Sequence, residues 1–513
     1  MRQRFSDHSW LIASGVLITA GFSALAVFSH QFGYDVEVAD MAIRPLVLLL
    51  SAIGAVYCIA AAALLRQVGA PGTTVAPASE TPSLDENTST RHLLLFVVAI
   101  GVLARAVLFF SEPILEDDYQ RYLWDGGVVA HGLDPYAVAP AAASGDAERA
   151  GLATAAGVTL ERVNHAEIRT IYPLGAQGFF ALAHLIAPFD LLGWRVVVLA
   201  GDAATFGLVL LLLARLGLPP VLGALYWWNP LVIKELANSL HMEAVLMPFV
   251  VAIVLASIAR RPRTAALLIG IAGAIKIWPL VLFPLAMRSA RVTWARLIVS
   301  ALIVVVITIA WLAPIVLAGL DEKAGVVAYA DAWRTMGAMF SILHAAATGA
   351  LALAGSETIA GLDANRIARA AIIVFAGLAA LWLAARPITD APDDMRASAR
   401  RFALLIFLLF LVSPAQFPWY VVWCAPFFAI LPLAGMIALA VVMPIYYWAF
   451  ELMVVDRFAL FTDVVIWLAW APIWLLLVGQ AILAPLAARG RTAAHLTRGG
   501  EAPRIPTRSA HAQ

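Results

Sequence analysis

Apolar residues run in long blocks along the chain, separated by short polar breaks. Segments near 10–29, 45–65, 92–110, 195–214, 219–237, 244–259, 297–319, 370–385, 419–434, 436–450 and 464–486 have spanning length. Shorter or interrupted ones lie at 172–188, 264–287, 341–354 and 402–412. The pattern predicts an all-α polytopic membrane protein with about 11 to 14 transmembrane helices at roughly 20 residues each. Segment 264–287 breaks the rule, being basic at both flanks (Arg263, Arg288) with Lys276-Ile277-Trp278-Pro279 in the middle. Two half-spans meeting at Lys276 satisfy both flanks, with the freed backbone facing protein or a water cavity.

The polar breaks give three regions. Residues 66–91, with Pro71, Gly72, Pro77 and Pro82 among Ser, Thr, Glu and Asp, read as a linker. Region 1–91 is then an N-terminal two-span hairpin with a cytoplasmic linker, 92–486 the main transmembrane module, and 487–513 a basic, disordered cytoplasmic tail. Ala24-Leu25-Ala26 resembles a signal cleavage site, but the apolar run continues to Phe28 and more spans follow, so the first span is retained.

Basic clusters at Arg2/Arg4, Arg66/Arg91, Arg260/Arg261/Arg263 and Arg386/Arg396/Arg400/Arg401 mark the cytoplasmic side. Counting crossings from them puts 111–171 outside, with Asn238, His241, Glu243 and the stretch Ser413 to Tyr420. Three polar constellations thus converge on one membrane face. The count does not close if 172–188 and 195–214 both cross, so one of them is re-entrant or lies on the surface; 341–354 raises the same difficulty.

Composition agrees, with 62% hydrophobic and 13% charged residues among 513 and a net charge of +1 that gives no sign of nucleic-acid binding. Sixteen Trp and twenty-eight Pro suggest interfacial anchoring and broken helices. Cys58 and Cys424 lie in apolar runs and read as small core residues.

Chemistry concentrates in the 111–171 loop, which is well above ordinary connection length. Glu116-Asp117-Asp118-Tyr119-Gln120-Arg121-Tyr122-Leu123-Trp124-Asp125-Gly126 is followed by Gly132-Leu133-Asp134-Pro135-Tyr136. On a helix, Asp117, Arg121 and Trp124 share one face and Asp118, Tyr122 and Asp125 the next. Such carboxylates could deprotonate a hydroxyl, bind a divalent cation or hold substrate hydroxyls, and aromatics beside acids suit sugars. Lys276 is a lone cation deep in an apolar stretch, functional by default with an anionic partner expected. His241 and Glu243 read as ligands or hydrogen-bonding groups, and Gln416 to Tyr420 joins an amide to an aromatic belt. Arg195 and Asp202 read as a structural pair. Walker, G-x-S-x-G, H-E-x-x-H and cysteine-rich metal motifs are absent from the sequence, which leaves a lipid-borne or gradient-borne energy source.

The acidic motif soon after an N-terminal span resembles that of the GT-C superfamily of polytopic glycosyltransferases. Glu116-Asp117-Asp118-Tyr119, Arg121-Tyr122-x-Trp124-Asp125-Gly126, Gly132-x-Asp134-Pro135-Tyr136 and Ile171-Tyr172-Pro173-Leu174 are similar to bacterial polyprenyl-phosphate-mannose-dependent mannosyltransferases. More loosely, Asn229-Pro230, His241-Met242-Glu243, Lys276 and Pro418-Trp419-Tyr420 fall where those families keep polar and aromatic residues near the donor. Two spans precede the one that should be first, and Glu243 stands where an aspartate is expected.

The resemblance implies a GT-C-like bundle in a bacterial plasma membrane, with a large external loop after the third span. It implies inverting transfer of a sugar, mannose by the loop's likeness, from a polyprenyl-phosphate donor to a glycolipid or polysaccharide hydroxyl at the extracytoplasmic face. Asp117 or Asp118 would be the general base. Lys276, His241 and Arg121 would stabilise the leaving phosphate, with Glu116, Tyr119, Tyr122, Trp124, Asp125, Asp134, Tyr136, Tyr172, Glu243, Gln416, Trp419 and Tyr420 around the substrates. No cofactor is required, and a divalent cation is compatible but not implied. The competing reading is a transporter or flippase of a lipid-linked sugar, which calls for mid-bilayer charge pairs and inverted repeats.

Overall fold

Residues 2–68, 84–387 and 393–498 are described by the structure, a computed structural model of the chain. Pro71, Gly72, Pro77 and Pro82 of the expected linker and the tail beyond 498 lie outside the described residues. In chain order the main helices are α1 (Arg2–Phe28), α2 (Ile43–Val68), α3 (Leu84–Phe109), α4 (Asp118–Ala130), α5 (Leu174–Ile186), α6 (Leu191–Arg215), α7 (Glu243–Ile258), α8 (Pro262–Ile275), α9 (Trp294–Leu317), α10 (Ala338–Leu353), α11 (Ala364–Ala385) and α12 (Asp393–Val412). Ala434–Val454 and Phe458–Leu483 follow, the latter inside a helical stretch that runs on to Arg498.

Among the described residues, eight segments are long and apolar enough to cross a membrane: the cores of α1, α2 and α3, then α6, α9, α11, Ala434–Val454 and Phe458–Leu483. Helices α5, α7, α8 and α10 are apolar but shorter. The chain is a polytopic all-α membrane protein.

Several expected spans are broken, for local reasons. Residues 219–237 are not one rod. Asn229 Oδ1 accepts from the N–H groups of Leu231 and Val232, and Pro230 follows at the first helical position, so a new turn starts there. A buried π-turn, Lys234–Asn238, completes the segment. Asn229-Pro230 is thus a helix start. Segment 419–434 consists of 3-10 turns, Pro418–Trp423 and Ala425–Phe427, each with a proline near its start. Between 264 and 287 the break falls where the basic flanks required it: α8 stops at Ile275, and Lys276 is extended (φ −150, ψ 136). Segment 172–188 becomes the 13-residue α5, too short to cross at 1.5 Å per residue.

The N-terminal hairpin packs into the bundle. Tyr57 donates to the Leu225 carbonyl at 2.6 Å, and Arg44 pairs with Glu451 at 2.6 Å. Arg195 and Asp202 do not pair with each other. Arg195 donates to the carbonyls of Leu108, Phe109 and Ser111 at the end of α3, while Asp202 takes Arg105 at 2.5 Å and the Tyr226 hydroxyl at 2.7 Å. Both arrangements are buried and structural.

The polar loop has its own small core of Trp124, Val128, Ala143, Leu152, Ala153, Ala156 and Val163. Helix α4 lies so close on α5 that a Cβ at Gly126 would sit 2.3 Å from the Phe180 carbonyl oxygen. Glycine is required there by the approach of the two backbones.

Candidate active site

A cavity of about 490 Å³ opens where these elements meet. Of the residues singled out in the sequence, Glu116, Asp117, Asp118, Arg121, Tyr122, Tyr172, Glu243, Lys276, Trp419 and Tyr420 line it. They come from the loop after α3, the start of α7, the break after α8 and the turn after α12.

The entry to α4 sets the acidic wall. Asn238 clamps the chain before it, donating to Ser111 Oγ at 2.8 Å and the Glu112 carbonyl at 2.7 Å while accepting from the Ile114 amide at 3.0 Å. Leu115 and Leu240 adopt left-handed backbone (φ 51 and 63), a conformation that costs a branched residue about 1–3 kcal/mol and recurs at functional sites. Glu116 then accepts from the Asp118 amide at 3.0 Å. Asp117 precedes the first helical residue, so it leaves the face it would have shared with Arg121 and Trp124.

Asn164 donates to both Asp117 Oδ1 and Asp118 Oδ1, each at 2.8 Å, and so bridges the two carboxylates. Arg121 holds that bridge from behind. Its guanidinium donates to the carbonyls of Asn164 (3.1 Å), His165 (2.8 Å) and Ile168 (3.2 Å), fixing the turn that carries Asn164. Burial, followed by the nearby Glu116 charge, pushes Asp117 up to about 6 and Asp118 up to about 7. Two carboxylates poised near neutrality suit general-base work.

The same cavity carries a cation. Lys276 Nζ reaches Glu243 Oε1 at 2.5 Å and lies 4.1 Å from the centre of the Tyr420 ring and 5.1 Å from that of Trp423. Glu243 is the anionic partner that Lys276 required. Tyr420 is fixed by a 2.7 Å hydrogen bond with Tyr329.

His241 lies just behind the wall, stacked on Trp419 with ring centres 3.9 Å apart. Its Nε2 is 3.0 Å from Glu116 and 3.4 Å from Glu235. Burial opposes its charged form, but Glu116 and then Glu235 outweigh burial and raise it to about 10. Glu235 also accepts from Tyr447 at 2.9 Å, and Lys234 donates to Ser239 at 2.7 Å and to Tyr447. Among the described residues, Glu116, Asp118 and His241 are the group whose ligand-type atoms come within 4.8 Å of one another. Glu116, Asp118 and His241 together offer the oxygen and nitrogen ligands that a divalent cation takes, and with no cation bound the two carboxylates that face His241 favour its imidazolium form.

The remaining sequence candidates lie off the cavity wall. Tyr119 is buried beside it. Trp124 belongs to the loop core, and Asp125 accepts from Gln177 at 3.1 Å. Asp134 turns the chain by accepting from the Tyr136 amide at 2.8 Å, and Tyr136 ties to the Tyr172 carbonyl at 2.9 Å. Gln416 donates to the last carbonyls of α12, those of Phe410 and Leu411, at 2.9 Å each. These residues shape the loop and helix ends that carry the wall.

Sequence reasoning missed Asn164, Tyr329, Trp333, Tyr446 and the stretch between α1 and α2, all of which line the cavity. The Arg162-Val163-Asn164-His165 cluster inside the polar loop was the one available signal.

The chain is 26% identical over 365 residues to Alpha-(1->6)-mannopyranosyltransferase A of Mycobacterium tuberculosis (strain ATCC 25618 / H37Rv). This similarity agrees with the resemblance of the loop motifs to GT-C mannosyltransferases. The match covers 63% of this chain and 63% of the relative, so it spans less than two thirds of either. No protein-family model matches, and no solved structure does.

Proposed function

We propose that the protein is a glycosyltransferase that moves a sugar, mannose in the first instance, from a polyprenyl-phosphate donor to a hydroxyl of a glycolipid or glycan acceptor. The observation that carries this reading is that the Asn164-bridged Asp117 and Asp118 and the Glu243-held Lys276 line one cavity of a membrane protein. The name of the mycobacterial relative, a mannopyranosyltransferase, supports the class of sugar.

In this reading the donor phosphate lies against Lys276 with its lipid tail between helices, and the acceptor hydroxyl approaches the Asn164-bridged carboxylates. One of Asp117 and Asp118 takes the hydroxyl proton as the oxygen attacks the anomeric carbon. The bond from that carbon to the phosphate oxygen breaks on the opposite face, its electron pair leaves with the phosphate, and configuration inverts. Lys276 stabilises the charge that develops on the departing oxygen; a well-placed donor of this kind is worth about 100- to 1,000-fold. His241 acts one layer back, holding Glu116 beside Asp118. No cofactor takes part. The site faces the extracytoplasmic side of a bacterial inner membrane.

The test is transfer of radiolabelled mannose from polyprenyl-phosphate-mannose to endogenous acceptors, in membranes carrying wild type or the Asp117→Asn/Asp118→Asn variant. Label transferred by the wild type and lost in the variant is the expected result. Absence of transfer by wild type with this and other lipid-linked sugars would overturn the reading.

A further inference from the structure

The segment between α1 and α2 does more than connect them. Six of its residues, Phe32, Gly33, Tyr34, Val36, Val38 and Met41, line the same cavity as the carboxylate pair. They are tethered to the polar loop at several points. The Phe32 carbonyl accepts from the Leu115 amide at 3.1 Å, directly before Glu116, and Ser29 Oγ accepts from the Glu112 amide at 3.1 Å. Asp35 accepts from Arg162 at 2.6 Å, and the same guanidinium lies 4.8 Å from the centre of the Tyr34 ring. Arg162 stands two residues before Asn164, the residue that bridges Asp117 and Asp118.

Tyr34 is therefore an aromatic ring on the cavity wall, held by a cation, and still 48% exposed. A half-exposed tyrosine ring on the same cavity wall as the carboxylates leaves aromatic surface that a ligand can cover. A sugar ring supplies the missing partner, with its CH face on the aromatic ring and its hydroxyls toward the carboxylates. Lys276 is engaged by Glu243 and by the Tyr420 and Trp423 rings, so in the proposed reading the donor takes that group and Tyr34 is left to the second substrate.

We infer that Tyr34, positioned by Arg162 and Asp35, is the stacking platform for the acceptor sugar, and that the added N-terminal hairpin sets acceptor specificity. The assignment of the sugar to the acceptor rests on the proposed transferase reading. The platform itself rests on the tethered, exposed ring.

The experiment uses the full chain in detergent or vesicles, with n-octyl α-mannoside as acceptor probe and polyprenyl-phosphate-mannose as donor. Binding of the probe alone is measured as well as transfer. Tyr34→Ala should raise the acceptor KM and weaken probe binding about tenfold, with the donor KM within twofold of wild type. Tyr34→Phe keeps the ring and should restore both. Glu37→Ala, on the same segment but off the cavity wall, should leave both within twofold. A Tyr34→Ala protein with wild-type acceptor KM and probe binding overturns the inference, as does an equal rise in donor and acceptor KM. Probe binding that depends on Tyr34 in a wild type without transfer would retain the sugar platform and overturn the transferase reading.

Discussion

Replacing Asp118 by Asn keeps the size of the side chain and one acceptor oxygen for Asn164 but removes the ability to take a proton. General bases contribute about 100- to 10,000-fold, which at 1.36 kcal/mol per tenfold is about 2.7 to 5.4 kcal/mol of barrier. Asp118→Asn or Asp117→Asn, whichever carries the base, should lose transfer by that factor. The fold should survive, because these carboxylates are raised by burial and by Glu116 and their charge opposes folding. For an acid raised in the folded state, that opposition grows as pH rises above the unfolded value near 4, so the neutral amide removes a destabilising charge at pH 7. The assay is initial transfer rate against pH from 5 to 9, with thermal unfolding of the same samples. Wild type should lose about tenfold per unit below the apparent value of the coupled pair, between about 6 and 7, and level off above it. Near-normal rates in both single variants, or a flat wild-type profile across that window, would refute the general-base assignment.

Asn164→Ala removes a donor to both carboxylates; because that donor favours their charged forms, the rising limb of the pH profile should move to higher pH. Lys276→Ala should raise the apparent KM for donor more than for acceptor and lower thermal stability, since Glu243 loses the cation that offsets its desolvation at the cavity wall. Lys276→Met with Glu243→Gln should recover the stability but not the donor affinity, as read by unfolding and by donor titration. Gly126→Val forces a side chain into the Phe180 carbonyl and should lower the unfolding temperature by several degrees, beyond the effect of the same change at Gly132, where nothing lies within 4 Å of the new Cβ but the positive φ of 75 still strains it. Chelation with EDTA should leave transfer intact if His241 is held as an imidazolium; loss of activity restored by added divalent cation would contradict this.

Much of the membrane class and part of the site were written into the sequence, because their causes are local. Spanning length and apolar content follow from counting residues, and an isolated cation such as Lys276 in an apolar run demands a partner wherever the chain goes. The acidic cluster from Glu116 to Asp118 announced itself in the same way. Its neighbours on the same motif did not sort themselves: nothing in the spacing separates Asp118, on the cavity wall, from Asp125, bonded to Gln177, or Trp419 on the wall from Gln416 at a helix end. Side-chain direction depends on where α4 begins and on which helix it meets, and both are settled by packing.

The sequence by itself determined a helical, many-span membrane chain, a break at Lys276 and a carboxylate-rich loop, since hydropathy, flanking charge and proline act over a few residues. Only the tertiary structure decided that Glu243 is the partner of Lys276, that Arg121 binds loop carbonyls, that Asn164 joins the two carboxylates and that the segment between α1 and α2 forms part of the wall. Those contacts join residues tens to hundreds of positions apart. Their partners are chosen by the desolvation of buried charge and the close approach of backbones, which no local pattern encodes.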